Sequence, residues 1–311
     1  MASDILIIKL GALGDLIQAL GPMAAIRRHH LGSRIVLLTS APFADFVAAT
    51  GLFDDVWIDT RPSVFQLGAW LKLRRRLRGE GFSRIYDLQT SDRSNWYFWL
   101  LGPGERPEWS GIVRGCSHPH ANPNRDAMHT LDRQSEQLAM AGIDKVPSPS
   151  LEWAPALADW DLGDELVLMV PGGARHRPRK RWPGEQFVVI ANNLVELGFR
   201  PVLIGDVNDK GLISGIAANV QDAVNLAGRT TLLQLAGLCR RARLAIGNDT
   251  GPMHMAVAAG VPSLVLYSDD SDPALCAQRG PLVEILQCSD LNDLSADKVW
   301  ATTLALNARG S

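Results

Sequence analysis

Short apolar runs of strand length alternate with longer amphipathic stretches along the whole chain. In the first half, DILIIKL (4–10), RIVLLTS (34–40), DVWID (55–59) and RIYDL (84–88) have the length and composition of strands. Helical patterns fall between them near 14–30, 42–50 and 65–79. The second half restarts with ELVLMV (165–170), PVLIG (201–205), AVNLAG (223–228), RLAIGN (243–248) and PSLVLYS (262–268), with helices near 184–197, 209–219, 231–241 and 252–259. This alternation predicts an α/β fold with largely parallel sheets.

The stretch KVPSPSLEWAPALADWDLGDE (145–165), rich in Pro, acids and small residues, separates the halves. It sets a boundary near residue 155 and two domains, 1–155 and 156–311. The end, 295–310, reads as a further helix capped by Ser295, with Trp300 and Leu304 on one face, free to pack back on the first domain. The expected architecture is two Rossmann-like units with a cleft between them. Ligands of such sheets sit at the carboxyl ends of the strands, so the loops there carry the search for function.

Composition narrows the function classes. With 46% hydrophobic and 21% charged residues and a net charge of −2, the chain lacks the basic excess of a general nucleic-acid binder. Cys116, Cys239, Cys276 and Cys288 are far apart without a C-x-x-C pair, which argues against a zinc knuckle or disulfide framework and for a reducing compartment. The start, with Asp4 ahead of a short apolar run, does not read as a signal peptide. No segment approaches the roughly 20 apolar residues of a membrane span. The expectation is a cytoplasmic protein, with peripheral contact at the inner membrane surface left open.

Three loops carry candidate chemistry. After the first strand, Gly11-Ala-Leu-Gly14-Asp15 leads into a helix. Its G-x-x-G spacing is not the dinucleotide fingerprint, and RIVLLTS lacks the terminal acid that would hold a ribose. Asp15 in a first helical turn either complements the helix dipole or serves as a general base toward a sugar hydroxyl. After ELVLMV, Gly172 and Gly173 precede a run in which five of the seven residues 175–181 are basic: Arg175, Arg177, Arg179, Lys180 and Arg181. A glycine pair, a cationic cluster and then a helix start at WPGEQF favour a phosphate site over a solvated face.

The third loop, GNDTGPMHMAVAAGVP (247–262), turns from a strand into a helix with Pro252 at its first position and Gly260 just past its end. Its first N–H groups form an anion site. Asp249, which would repel a bare phosphate, fits an anion that also carries hydroxyls, as a sugar diphosphate does. His254 is either structural or a donor to a phosphate oxygen.

With these loops in view, the chain resembles glycosyltransferase family 9, which contains the ADP-heptose:lipopolysaccharide heptosyltransferases. IIKLGALGDLIQALGP, KRWPGEQF and GNDTGPMHMAVAAGVP carry the likeness, which extends over nearly the full length. The resemblance implies a GT-B architecture, with an N-terminal acceptor domain and a C-terminal nucleotide-sugar domain, and metal-independent transfer with inversion. It assigns Asp15 as the base, Lys180 to the donor phosphates, Asp249 to the donor sugar, and Thr250, Gly251, Pro252, Met253 and His254 to the diphosphate-binding turn. Arg177, Gly172 and Gly173 join the donor set. One departure is the acidic stretch Ser268, Asp269, Asp270 and Asp272, where members often have a glycine-containing turn. We read it as an exposed loop rather than a metal-binding D-x-D.

On the acceptor side, Gly14, Gln89, Asp92 and Arg93 are candidates, with Arg114 and Arg125 in or near later loops. Lys72, Arg74, Arg75, Arg76 and Arg78 crowd one predicted helix, which reads as a solvated face or as contact with an anionic glycolipid or membrane leaflet. Two other functions remain open at this point: a nucleotide-sugar epimerase, which needs a second acid/base set, and a non-catalytic nucleotide-sugar or glycolipid binder, which has no use for Asp15. No metal or separate cofactor is expected.

Overall fold

The computed structural model describes residues 4–63, 65–156, 160–173 and 176–310. The chain divides into two compact units, Met1–Pro149 and Ser150–Ser311. In the first, β1 (Ile5–Ile8), β2 (Ile35–Thr39), β3 (Asp55–Ile58), β4 (Arg84–Asp87), β5 (Glu108–Gly111) and β6 (His118–Pro119) form one sheet in the order β3-β2-β1-β4-β5-β6. In the second, β7 (Leu166–Val170), β8 (Arg200–Leu203), β9 (Val224–Asn225), β10 (Leu244–Asn248), β11 (Ser263–Ser268) and β12 (Val283–Cys288) form the order β12-β11-β10-β7-β8-β9. Every pairing is parallel. Each sheet therefore has the doubly wound Rossmann order, and the fold class expected from the alternation is the one found.

Helices on both faces explain why the central strands read as unbroken apolar runs: β1, β2, β7 and β10 are buried at every position. Three strands escape a reading based on such runs. β5 is EWSG, β6 has two residues, and β12 is a half-exposed strand with Glu284 and Gln287 among its apolar residues. The helix expected over 14–30 is two, Leu13–Gln18 and Leu20–His29. Pro22 has no N–H to offer the Gln18 carbonyl, so the hydrogen-bond ladder breaks there.

Helices Asp92–Leu100 and Thr130–Ala139 are additional to the elements expected from the sequence. The first is closed by a reciprocal Ser91–Ser94 capping box. It divides its consecutive aromatics, sending Tyr97 and Phe98 into the core and leaving Trp96 and Trp99 exposed. In the final helix, Ala296–Gly310, the Ser295 hydroxyl accepts the Lys298 N–H at 3.4 Å as the expected cap. Its buried face is Val299, Thr303 and Leu306, set against helix Gly184–Glu196 and β11 of its own unit. Trp300 packs at the edge of that core and Leu304 is exposed, so the face expected from those two is displaced by one position. No helix among the described residues is long and apolar enough to cross a membrane.

The order reverses between β1 and β4 in the first unit and between β7 and β10 in the second. Connections leave such a pair toward opposite sides, opening a crevice beyond the strand ends. A side-chain amide spans each crevice. Asp87, at the end of β4, accepts the Gln89 and Thr90 N–H groups, both at 3.0 Å, and Gln89 Oε1 then accepts the Leu10 N–H at 2.8 Å. Asn248, at the end of β10, donates to the Pro171 and Gly172 carbonyls at 2.8 and 3.1 Å and accepts the Trp182 N–H at 3.2 Å. Trp182 is itself a core residue, edge-on to Phe187 at 4.8 Å, with its indole N–H on the Leu294 carbonyl at 2.8 Å.

Two outcomes follow for stability. Trp182→Ala removes a fully buried indole and lowers unfolding free energy by about 3–5 kcal/mol, read from urea unfolding; a loss below about 1 kcal/mol contradicts that anchoring role. Asp87 is fully buried, its Oδ2 has no hydrogen-bond partner among the described residues, and burial pushes its carboxyl from 3.8 up to about 6. The native state thus holds a proton that the unfolded chain releases, so stability falls as pH rises from about 4 to about 6, by on the order of 3 kcal/mol. Asp87→Asn should flatten that stretch of the pH–stability curve, and an unchanged slope contradicts the assignment.

Candidate active site

In the first unit the loop after β1 starts at Gly11, whose φ of +119° is closed to other residues and whose Cβ position is filled by the Phe43 ring at 2.6 Å. The chain then enters helix Leu13–Gln18 from Ala12, which has no side chain to cap it, and Gly14 and Asp15 fall in the first turn. Asp15 is exposed and borders a small cavity of about 70 Å³ together with Lys9, Gln89, Thr90, Arg125 and Arg133. Lys9 is buried with its ammonium 3.1 Å from the Leu88 carbonyl; burial pulls its pKa down, while Asp15 and Asp87 partly restore it. Arg125 is fixed by bonds to Thr90 Oγ1 at 3.0 Å and His120 Nδ1 at 3.3 Å. A carboxylate beside three cations suits a hydroxyl-bearing anion.

The other two acceptor candidates lie elsewhere. Asp92 is exposed on the first turn of its helix. Arg93 is held by Asp59 at 3.2 Å, the Tyr97 hydroxyl at 2.9 Å and the Pro62 carbonyl at 3.3 Å, an anchor between loop and helix.

In the second unit the site is built around Asp249, one residue beyond β10. Lys180 Nζ and Ser271 Oγ donate to its Oδ2 at 2.7 and 2.9 Å, and Tyr267 OH and Gln278 Nε2 donate to its Oδ1 at 2.9 and 3.3 Å. His254 Nε2 stands 4.0 Å from Oδ1. Burial alone pushes the Asp249 carboxyl up, but the Lys180 hydrogen bond and charge, with Tyr267 and His254, outweigh it and hold the carboxyl below its ordinary value. Burial and the Asp249 charge push the Tyr267 phenol up, so it remains a donor.

The glycine pair and the basic run take more structural roles than expected. Gly172 is buried, and a Cβ there would overlap the Asp209 carboxylate, so its small size serves the protein's own packing. Gly173 is half-buried beside Arg181. Arg181 pairs with Asp209 at 3.2 Å, Arg179 with Asp270 at 2.6 Å, and Arg177 donates to the Asp270 carbonyl at 3.0 Å. Asp270 therefore belongs to the site's charge balance, and only Asp269 and Asp272 fit the exposed acidic loop expected from sequence. Arg175 lies outside the described residues.

The turn into helix Gly251–Ala258 is partly satisfied from within. Thr250 gives its hydroxyl to the Asn248 carbonyl at 3.1 Å, and its own carbonyl accepts the Met253 and His254 N–H groups at 3.1 and 3.4 Å. Pro252 has no N–H, which leaves Gly251 as the first-turn residue whose amide has no backbone partner among the described residues. Met253 is buried in the core and His254 faces Asp249.

The fold thus gathers the expected Asp15 and Gln89 at one cavity and the expected Lys180, Asp249 and His254 in the other unit. It adds Lys9, Arg133, Tyr267, Ser271 and Gln278, which the sequence did not single out. Lys9 had a signal: a lysine closing the apolar run ILII. The partners of Asp249 had none, because they come from a strand end and a loop whose approach only the fold supplies. Among the described residues, no three His, Cys, Asp or Glu side chains gather as a metal site.

Comparison with known proteins places this geometry. The model of glycosyltransferase family 9 (heptosyltransferase) matches residues 70–288, more than two-thirds of the chain. Lipopolysaccharide heptosyltransferase 2 of Salmonella typhimurium is 27% identical over 228 residues, covering 66% of this chain and 65% of that relative's length. Two solved structures superpose over nearly the whole chain. One is a family 9 glycosyl transferase from Veillonella parvula, with TM-score 0.84 and 20% identity over 99% of this chain and 97% of that one. The other is the E. coli ADP-heptose lps heptosyltransferase II, with TM-score 0.81 and 21% identity over 98% and 99%. The two doubly wound units share the fold of these two structures, and the chain belongs to glycosyltransferase family 9, the heptosyltransferase family.

Proposed function

We propose that this protein transfers a heptose from ADP-heptose to a hydroxyl of a lipopolysaccharide core or a related glycan, with inversion and without a metal ion. The observation that carries the reading is the Asp249 cluster: an ionised carboxylate and a lysine in contact, beside a helix start, at the strand-order reversal of a family 9 chain. A sugar diphosphate offers a partner to each element. Sugar hydroxyls donate to Asp249, while the diphosphate accepts from Lys180 and from the Gly251 amide. One relative is a lipopolysaccharide heptosyltransferase and another an ADP-heptose lps heptosyltransferase, which supports the same donor and acceptor.

The proposed chemistry is a single displacement. The acceptor hydroxyl gives its proton to Asp15 as its oxygen bonds to the anomeric carbon, and the bond from that carbon to the diphosphate breaks on the opposite face. The ADP leaving group departs with the electron pair, its growing charge met by Lys180 and the helix start. Lys9, Arg125 and Arg133, beside Asp15, receive the anionic groups of the acceptor. The reading thus gives the base to the first unit and the donor to the second.

Asp15→Asn is expected to lower turnover by roughly 10²–10⁴-fold while leaving the affinity for ADP unchanged. Turnover near wild type would remove Asp15 from the role of base. The product's anomeric configuration, read by NMR, should be opposite to the donor's, and EDTA should leave the rate unaltered. Retention of configuration, or a rate lost in EDTA and restored by a divalent cation, contradicts the corresponding part of the mechanism.

A further inference from the structure

On the first unit, helices Leu67–Gly79 and Asp92–Leu100 lie side by side and turn their inner faces to the sheet, where Leu77, Tyr97, Phe98 and Leu101 are core residues and Trp70, Leu73 and Leu100 pack at its margin. Their outer faces carry what the core does not use. Phe65, Leu67, Leu71, Trp96 and Trp99 are all at least half exposed, from 50% at Trp99 to 90% at Phe65. Single exposed apolar residues need no explanation, but five large ones on two neighbouring helices and the turn before them do.

The same surface is cationic. No acid occurs between Asp59 and Glu80, and Lys72, Arg74, Arg75, Arg76 and Arg78 fall within that interval. Leu67, Leu71, Arg74 and Arg78 follow helical spacing along one stripe, and Leu71, Arg74, Arg75 and Arg78 line one shallow groove. The stripe meets the end of the second helix, where Arg78 donates to the Leu101 carbonyl at 3.0 Å. Arg76 is otherwise engaged, stacked 3.7 Å over the Trp57 ring. Lys72 and Arg75 are exposed, and the next exposed acids in sequence are Glu80, held by Arg34 at 3.0 Å, with Asp92 and Glu105.

We infer that this face docks on an anionic lipid surface, with the arginines and Lys72 at the headgroup phosphates and Trp96, Trp99, Leu71 and Phe65 at the boundary with the acyl chains. A cationic face studded with separate large apolar side chains suits a lipid surface, which offers a dense sheet of negative charge over a layer that accepts indole rings. The inference deepens the proposed function, because a lipid-linked acceptor lies in such a surface. It is measured without donor or acceptor, so its failure and that of the transferase reading are separable.

The test is co-sedimentation of the full chain with vesicles of phosphatidylcholine alone or mixed with phosphatidylglycerol. The protein should sediment with the mixed vesicles only, and less as salt is raised. Lys72→Ala with Arg75→Ala should weaken partitioning roughly twenty-five-fold, about fivefold per cation, with an unchanged melting temperature. Trp96→Ala with Trp99→Ala should remove the fluorescence quenching that brominated lipids cause in the wild type. Equal binding to both vesicle types, no binding, or variants that partition like the wild type would overturn the inference. So would self-association abolished by these variants in a chain that ignores vesicles, since the patch would then be a protein contact.

Discussion

Two strands whose connections leave in opposite directions diverge beyond their ends, and a site can form there only if something holds the ends in register. In this protein an amide side chain does so twice. Gln89 reaches from the loop after β4 to the Leu10 amide, and Asn248 reaches from β10 to the Pro171 and Gly172 carbonyls. Both bonds are local in space yet join segments more than seventy residues apart in sequence. Asn248 also accepts the Trp182 amide, which sets the residue two positions after Lys180. The position of the lysine against Asp249 therefore rests on a core indole and one buried amide.

Charge balance is the second organising feature. The basic run of the second unit is largely neutralised within the protein, with Lys180 on Asp249, Arg181 on Asp209 and Arg179 on Asp270. A buried ion pair gains little net stability from its own Coulomb energy, because desolvation opposes it. Such a pair does hold a cation in a fixed place and orientation. In the proposed reading, a ligand with both hydroxyls and phosphates replaces the internal contact with two external ones, and a bare phosphate satisfies only half of it. The first unit shows the complementary arrangement, an exposed carboxylate with cations behind it, one of them the buried Lys9.

Much of this was visible in the sequence because parallel sheets bury their central strands on both faces. DILIIKL, RIVLLTS, ELVLMV and RLAIGN were legible as strands for that reason, and the loops that follow them held Asp15, Lys180 and Asp249. Strands at the sheet edges were illegible, since EWSG and HP carry no apolar run to see. The helix Asp92–Leu100 was hidden because its aromatics are consecutive, and only the fold shows which two face inward. The neighbours of Asp249 were hidden for another reason. Tyr267 lies near the end of β11 and Ser271 and Gln278 follow it, and only the pairing of β11 with β10 brings them beside Asn248 and Asp249. Gly172 has a packing role that the sequence did not show, since a Cβ there would overlap the Asp209 carboxylate.

The proposal stands or falls on what the Asp249–Lys180 cluster recognises. Calorimetric titration of the wild type and of Lys180→Ala with ADP-heptose, ADP, UDP, GDP and NAD addresses it directly. The account predicts that ADP-heptose and ADP bind in preference to the others, and that loss of Lys180 weakens both. Preference for UDP or GDP would contradict the assigned donor, and binding of NAD alone would contradict a nucleotide-sugar site altogether.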